Sequence, residues 1–184
     1  MRRTWFAWGA LLPLAALAAT AGTPEDPGGT AWVFSGTAKW SVKGVAKWSE
    51  SGEAVLYVNA GGSCRLDTYD SGSGPYPATP GPCQANECVP CTWSQSKKKL
   101  TLAFDRDEVE ELVTEGLIHK ALEEGLDPTG LSVDLTQVSG SAKFSIAKDS
   151  LSAKLQFSGT ASAPAEGVND AKVATSLKGN GSRL

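Results

Sequence analysis

Cys88-Val89-Pro90-Cys91 is the sharpest chemical motif in the sequence, because two thiols separated by two residues can form a redox-active pair. Such a pair becomes reactive when its first cysteine is deprotonated at the N-terminus of a helix. The residues that follow, Thr92-Trp93-Ser94-Gln95, have the pattern of a strand instead. Since the activating helix is missing, we expect a structural role for these cysteines.

The four cysteines could also hold a zinc ion, since zinc favours four thiolates in a tetrahedron. The typical zinc pattern has two short cysteine pairs, however, and this sequence has one. The start of the chain predicts a secretory signal peptide, and an even number of cysteines in an exported chain usually forms disulfides. We therefore expect no metal and two disulfides, with three pairings open. The cysteines concerned are Cys64, Cys83, Cys88 and Cys91.

Acid–base catalysis has few candidate residues in this chain. His119 is the only histidine, and its place in a predicted helix beside Ile118 and Lys120 is typical of a surface residue. The acidic residues of that helix spread over its polar face, whereas a glycosidase needs two acids facing one cleft. We expect no catalytic residue, no cofactor and no enzyme activity.

Six aromatic side chains fall on the inward face of the strands that an alternating pattern predicts. They could line a pocket for a small apolar ligand, or they could be the hydrophobic core itself. Both interpretations stay open. The predicted ligand-binding residues are Trp32, Phe34, Trp40, Trp48, Phe144 and Phe157.

The start of the chain has the order of a secretory signal peptide. Arg2 and Arg3 precede an apolar run, and the small residues Ala19-Thr20-Ala21 follow it. Pro13 interrupts the run and no stop-transfer charges come after it, which argues against a membrane anchor. We predict a secreted or periplasmic protein with a signal peptide at 1–21, a flexible linker at 22–30 and one β-rich domain at 31–184.

Alternating apolar and polar residues predict strands over most of that domain, interrupted by a long loop rich in Gly, Pro and Ser at 71–90. Helical spacing of apolar residues predicts a helix at about 106–125. A change of phase near 136–138 predicts a β-bulge. The expected fold class is mainly β, an antiparallel barrel or strongly curved sheet of about eight to ten strands with one amphipathic helix in mid-sequence.

Charge restricts the class of partner. The net charge of −3 becomes more negative when Arg2 and Arg3 leave with the signal, which argues against nucleic acid. Lysines on the outer face of the predicted strands could meet an anionic surface, or could keep strands from pairing with neighbours. These lysines are Lys39, Lys43, Lys47, Lys143, Lys154, Lys172 and Lys178.

Four features carry a family resemblance: the segment Thr92-Trp93-Ser94-Gln95 after Cys91, the run Lys97-Lys98-Lys99-Leu100-Thr101-Leu102, a predicted hairpin that carries Trp40 and Trp48, and the single helix. Together they resemble secreted bacterial proteins with lipocalin-like (calycin-like) barrels. The resemblance implies a barrel that holds a small apolar ligand. The helix lies in mid-sequence, whereas in a typical lipocalin it lies near the C-terminal end.

These observations predict a secreted or periplasmic, non-enzymatic binding protein that holds a small apolar ligand in its barrel. The alternative is a structural or interaction protein of the cell envelope with a filled interior and an exposed patch for its partner. A thiol oxidoreductase using Cys88 and Cys91 is the third hypothesis.

Overall fold

A computed structural model describes residues 25–69, 74–82 and 88–184. The described residues form eight strands that pair antiparallel in sequence order, and the last strand pairs with the first to close a barrel. A mainly β fold with one helix in mid-sequence is thus confirmed. The elements are β1 (Thr30–Val42), β2 (Ala46–Val58), β3 (Ser63–Tyr69), β4 (Cys88–Ser96), β5 (Lys99–Phe104), α1 (Arg106–Glu123), β6 (Ser132–Ser145), β7 (Ser150–Ala163), a short 3-10 helix (Pro164–Glu166) and β8 (Val168–Arg183).

Strand β1 shows why this sequence forms a barrel wall. Successive side chains of a strand point to opposite faces, and here Trp32 and Phe34 are buried while Ser35 and Lys39 are exposed. The same alternation runs through β6, β7 and β8. These four strands therefore present an apolar face to the interior and a mainly polar face to solvent.

The barrel is taller on one side than on the other. Strands β1, β2, β6, β7 and β8 have 13 to 16 residues, whereas β3, β4 and β5 have 6 to 9. Helix α1 follows the short β5 and packs on β6 and β4. It buries Val109, Val113 and Leu117 against the tall wall and covers one end of the barrel.

The interior has two connected layers of apolar side chains. The layer away from α1 contains Trp32, Phe34, Leu102 and Leu155, which are all at most 2% exposed. Full burial of a large apolar side chain contributes about 1.5–3 kcal/mol to stability. The layer under α1 contains residues of the helix and of the barrel rim, and Phe104 and Phe157 contact both layers.

The predicted bulge is confirmed, because the register between β6 and β7 shifts between Leu135 and Gln137. Gly159 of β7 lies opposite this irregularity. A Cβ atom on Gly159 would come within 2.0 Å of the Asp134 carbonyl oxygen, so the close approach of the two strands requires glycine there.

Residues 74–82, from the loop predicted at 71–90, are attached to the outside of the barrel. Cys64 of β3 and Cys91 of β4 lie directly opposite each other and form a disulfide. Arg65 donates to the Gly81 carbonyl, and Tyr57 donates to the Pro77 carbonyl. Since these contacts hold residues 74–82 on the wall, the loop's length is structurally supported.

Most of the predicted signal peptide and linker, residues 1–24, lies outside the described part of the chain. Residues 25–29 are bonded to the barrel: the Glu25 carboxylate accepts from the Ile146 N–H, and Gly29 donates to the Val58 carbonyl. No helix within the described ranges is both long and apolar enough to cross a membrane.

Candidate binding site

An apolar crevice of about 100 Å³ lies between the C-terminal half of α1 and the barrel rim. It opens to solvent, and its walls are almost entirely carbon. Four chain segments meet there: the β1–β2 turn, the end of α1 with the loop after it, the end of β7, and the start of β8. Its apolar lining residues are Val42, Val45, Ala46, Trp48, Leu117, Ala121, Leu126, Leu131, Ala161, Ala163 and Val168.

The end of α1 shapes one wall of the crevice. Gly125 adopts φ +73°, donates to the Leu122 carbonyl, and turns the chain so that Leu126 donates to the Ala121 carbonyl. This pair of hydrogen bonds is the Schellman arrangement, in which the residue after glycine folds back on the helix. It places Leu126, 39% exposed, at the mouth of the crevice.

The β1–β2 turn supplies the opposite wall. Val45 donates to the Val42 carbonyl across the turn and remains 50% exposed. Next to the turn, the indole rings of Trp40 and Trp48 stack at 5.6 Å with nearly parallel planes. Trp48 lines the crevice, while Trp40 lies against the helix at Gly116.

Charged groups surround the mouth, and they carry an excess of negative charge. Lys120 contacts the carboxylates of Glu123 and Glu124 at 3.0 Å each, and these contacts raise the pKa of Lys120. The hydrogen bond with Thr129 lowers the pKa of Asp127. Glu166 accepts from the Asp127 N–H at 2.7 Å. The mouth of the crevice therefore carries more carboxylates than cations, and its cation, Lys120, is already paired.

The six predicted ligand-binding aromatics divide between the two layers of the interior. Trp32, Phe34 and Phe144 are packed in the layer away from α1, with Trp32 and Phe144 edge to face. Trp40 lies in the layer under α1, and Phe157 contacts both layers. Only Trp48 of the six lines the crevice.

Most of the crevice was not predictable from strand periodicity, because its residues come from turns and element ends. Two signals were available in the sequence. Val45 and Leu126 are large apolar residues directly after Gly44 and Gly125, where turns normally carry polar side chains.

The cysteine motif belongs to β4, and this corrects the expectation that the loop extends to residue 90. Residues three apart on a strand face opposite sides, so Cys88 and Cys91 point away from each other. Cys91 pairs with Cys64, and Cys88 is disulfide-bonded as well. Cys83 lies outside the described residues. The motif therefore does not form its own internal disulfide.

His119 lies on the exposed face of α1, where its Nε2 is 3.2 Å from a Glu123 carboxylate oxygen. Among the residues that the structure describes, no cluster of histidine, cysteine or carboxylate side chains is arranged to hold a metal ion.

No family model matches this sequence, and no curated protein matches it either. The class of the protein is therefore defined by its architecture: a closed, eight-stranded, up-and-down antiparallel barrel with a helix over one end. This architecture is compatible with a lipocalin-like fold.

Proposed function

We propose that this protein is an exported, non-enzymatic binding protein whose site is the crevice between α1 and the barrel rim. The observation that carries the proposal is a solvent-open pocket with almost no polar wall, flanked by the exposed side chains of Val45 and Leu126. Apolar surface left open to solvent at a concave site is the usual mark of ligand binding. The disulfide between Cys64 and Cys91 supports an extracytoplasmic location.

The crevice, and not the barrel interior, is the better candidate for the site. Trp32 and Phe34 are at most 2% exposed and belong to one continuous cluster of buried side chains. A ligand among them would have to displace core side chains, at a cost of several kcal/mol for each buried group removed from its contacts. The crevice needs no such rearrangement.

The size of the crevice limits the ligand. A cavity of 150 Å³ accommodates benzene, so about 100 Å³ accommodates on the order of four carbon atoms. The site therefore fits a short alkyl group or the end of a longer chain. Because the mouth is rich in carboxylates, a neutral or cationic head group suits it better than an anionic one.

A structural or interaction protein of the cell envelope is the second candidate function. The packed interior favours it, and so does the exposure of Leu122 at 60% on the helix near the crevice. In that case the crevice would receive an apolar side chain of a partner protein.

Titration with straight-chain alcohols of two to eight carbons tests the proposal. Tryptophan fluorescence should respond through Trp48, and each added carbon should tighten binding about fourfold, by about 0.8 kcal/mol, until the crevice is full near four carbons. The Leu126→Ser variant should weaken binding, and Leu122→Ser is its matched control because Leu122 does not line the crevice.

A response that is independent of chain length, or equal affinity in Leu126→Ser and the wild type, would overturn the proposal. Binding of an apolar partner protein without any response to the alcohols would favour the second candidate function.

A further inference from the structure

Six exposed lysines form a continuous path across the outer wall of the barrel, which we name the lysine path. Each of six neighbouring strands contributes one lysine to it, in the spatial order β5, β6, β7, β8, β1 and β2. All six side chains are exposed. The path consists of Lys99, Lys143, Lys154, Lys178, Lys39 and Lys47.

The strand register shows that the path climbs along a diagonal. Lys99 lies opposite Lys143. One row higher, two residues along β7, Lys154 lies opposite Lys178. Neighbouring strands are about 4.8 Å apart and two residues span about 7 Å, so successive lysines are close enough for one linear molecule to contact them all.

Lys39 and Lys47 continue the same diagonal. Lys178 is paired with Thr37, and Lys39 lies two residues further along β1. Lys39 is in turn paired with Ser49, two residues from Lys47 on β2. Each step moves one row higher, in the same direction as the steps before it.

Few acidic residues share the outer wall with the lysine path. Strands β1, β5 and β7 contain no acidic residue, and β6 and β8 contain one each, Asp134 and Asp170, at the end of the barrel near α1. Strand β2 contains Glu50 and Glu53, and their carboxylates accept hydrogen bonds from Trp48 and from Ser35 and Tyr76, respectively. None of the six lysines forms a salt bridge with any residue of the described ranges. Open depressions of about 650, 500 and 630 Å³ follow the path, and no carboxylate lines them.

Two common explanations for surface lysines fit this arrangement poorly. Lysines protect the free edge of a sheet from pairing, yet Lys39, Lys143 and Lys154 lie on strands that are paired on both sides. Lysines scattered for solubility avoid each other, yet two pairs here stand directly opposite, which is destabilising. A bound anion would offset that repulsion.

We propose that the lysine path binds a linear anionic polysaccharide, one that carries a carboxylate or sulfate group on its sugar units. The serine, threonine, glutamine and asparagine residues between the lysines offer hydrogen bonds to sugar hydroxyls. The path crosses six of the eight strands of a convex wall. A flexible polymer can follow that curvature, whereas a flat membrane would meet only part of it.

Single-stranded nucleic acid suits this surface less well. Proteins that bind it stack the bases on exposed aromatic side chains. The outward-facing positions along the lysine path of β1, β7 and β8 carry hydroxyl, amide, small and lysine side chains only.

Binding of the purified protein to immobilised polygalacturonate and dextran sulfate, compared with neutral dextran, tests the proposal. At about 50 mM salt we expect retention on at least one anionic polymer and none on neutral dextran, with affinity that falls steeply as salt is added. Stronger binding to one polymer identifies the anionic group. The Lys154→Gln/Lys178→Gln variant should bind on the order of tenfold more weakly, and its salt slope should be smaller by about two.

The matched control is Arg106→Gln/Arg183→Gln, which removes the same charge from the start of α1 and the end of β8, outside both the lysine path and the crevice, and it should bind like the wild type. Equal binding by wild type and Lys154→Gln/Lys178→Gln would overturn the proposal, and so would retention on neither polymer. Tighter binding to phosphatidylglycerol vesicles or to oligo-dT than to both polysaccharides would overturn it as well. None of these outcomes depends on the crevice.

Discussion

The Glu110 carboxylate of α1 accepts a hydrogen bond from the backbone N–H of Leu135 on β6, with 2.8 Å between Oε1 and N. Leu135 is fully buried and stands at the register shift, where a strand ladder loses regular partners. Arg106 approaches the same carboxylate at 3.4 Å. One side chain thus satisfies a buried donor at the bulge and attaches the helix to the tall wall of the barrel.

Glu110→Ala should lower the free energy of unfolding by about 1–2 kcal/mol, because it leaves the buried Leu135 N–H without a partner. Glu110→Gln keeps an acceptor oxygen and should lose less. Urea denaturation followed by circular dichroism measures both. Equal stability of Glu110→Ala and the wild type would show that the bond does not hold the helix.

Tyr57 should make the protein sensitive to alkaline pH. Burial, together with a hydrogen bond involving Tyr69, raises the pKa of Tyr57 above the ordinary value of 10.0. The folded state then keeps its proton while the unfolded state releases it, so this contribution to stability is present below pH 10 and is lost as pH rises beyond it.

Tyr57→Phe should therefore flatten the decline of stability above pH 10. At pH 7 it should cost about 1 kcal/mol, because the Pro77 carbonyl loses its donor. Urea denaturation of both proteins between pH 8 and 11 checks this. An alkaline decline of equal slope in the variant would assign the effect to another group.

Lys154→Glu should stabilise the protein. It replaces a like-charge pair with Lys178 by an opposite-charge pair between the same cross-strand positions, worth about 0.2–1 kcal/mol. The gain in Tm should shrink in 1 M salt, where surface charges are screened. A loss of stability at low salt would mean that the two ammonium groups do not repel each other in the native protein.

Removal of the disulfide in Cys64→Ala/Cys91→Ala should lower the free energy of unfolding by about 3–4 kcal/mol in the chain-entropy model, since the bond closes a loop with a sequence separation of 27. Chemical denaturation without reductant measures the difference. A change below about 1 kcal/mol would contradict the chain-entropy estimate for this bond.

The head group of a ligand should matter at the crevice. At pH 7 and equal chain length, an alkylammonium should bind more tightly than an alcohol, and the alcohol more tightly than a carboxylate, because carboxylates such as Glu124, Asp127 and Glu166 flank the mouth. Competition against a fluorescent alkyl probe gives the order. The reverse order would place the binding site elsewhere.

The sequence predicted the elements whose periodicity is continuous. The inward face of β1, the helix near 106–125 and the bulge near 136–138 follow from side-chain spacing alone, and the structure confirms them within a few residues. Barrel closure is harder to predict from side-chain spacing, because it depends on the pairing of β8 with β1, which are far apart in the sequence.

The sequence predicts too late a start for β4, because Pro90 suggests a loop, whereas the strand begins at Cys88. In the structure Pro90 is opposite Arg65 of β3, and the pairing with β5 begins one residue later, at Cys91. Proline is tolerated where a strand is bonded on one side only. The pairing of Cys64 with Cys91 depends on this same register, so spacing alone left the disulfide pattern open.

The candidate site was the least predictable part. Trp48 was recognised as inward-facing, but the crevice exists only because α1 covers the end of the barrel beside it. Three distant segments supply its remaining walls. No local sequence pattern predicts that these segments meet.

The most direct test of a solid barrel with a binding crevice at its rim is an NMR titration of the ¹⁵N-labelled protein with 1-butanol. Chemical-shift changes should be confined to the crevice, at Val45, Ala46, Ala121, Leu126 and Ala161. Changes centred on Trp32, Phe34 and Phe144 would instead place the ligand inside the barrel and rule out the crevice as the binding site.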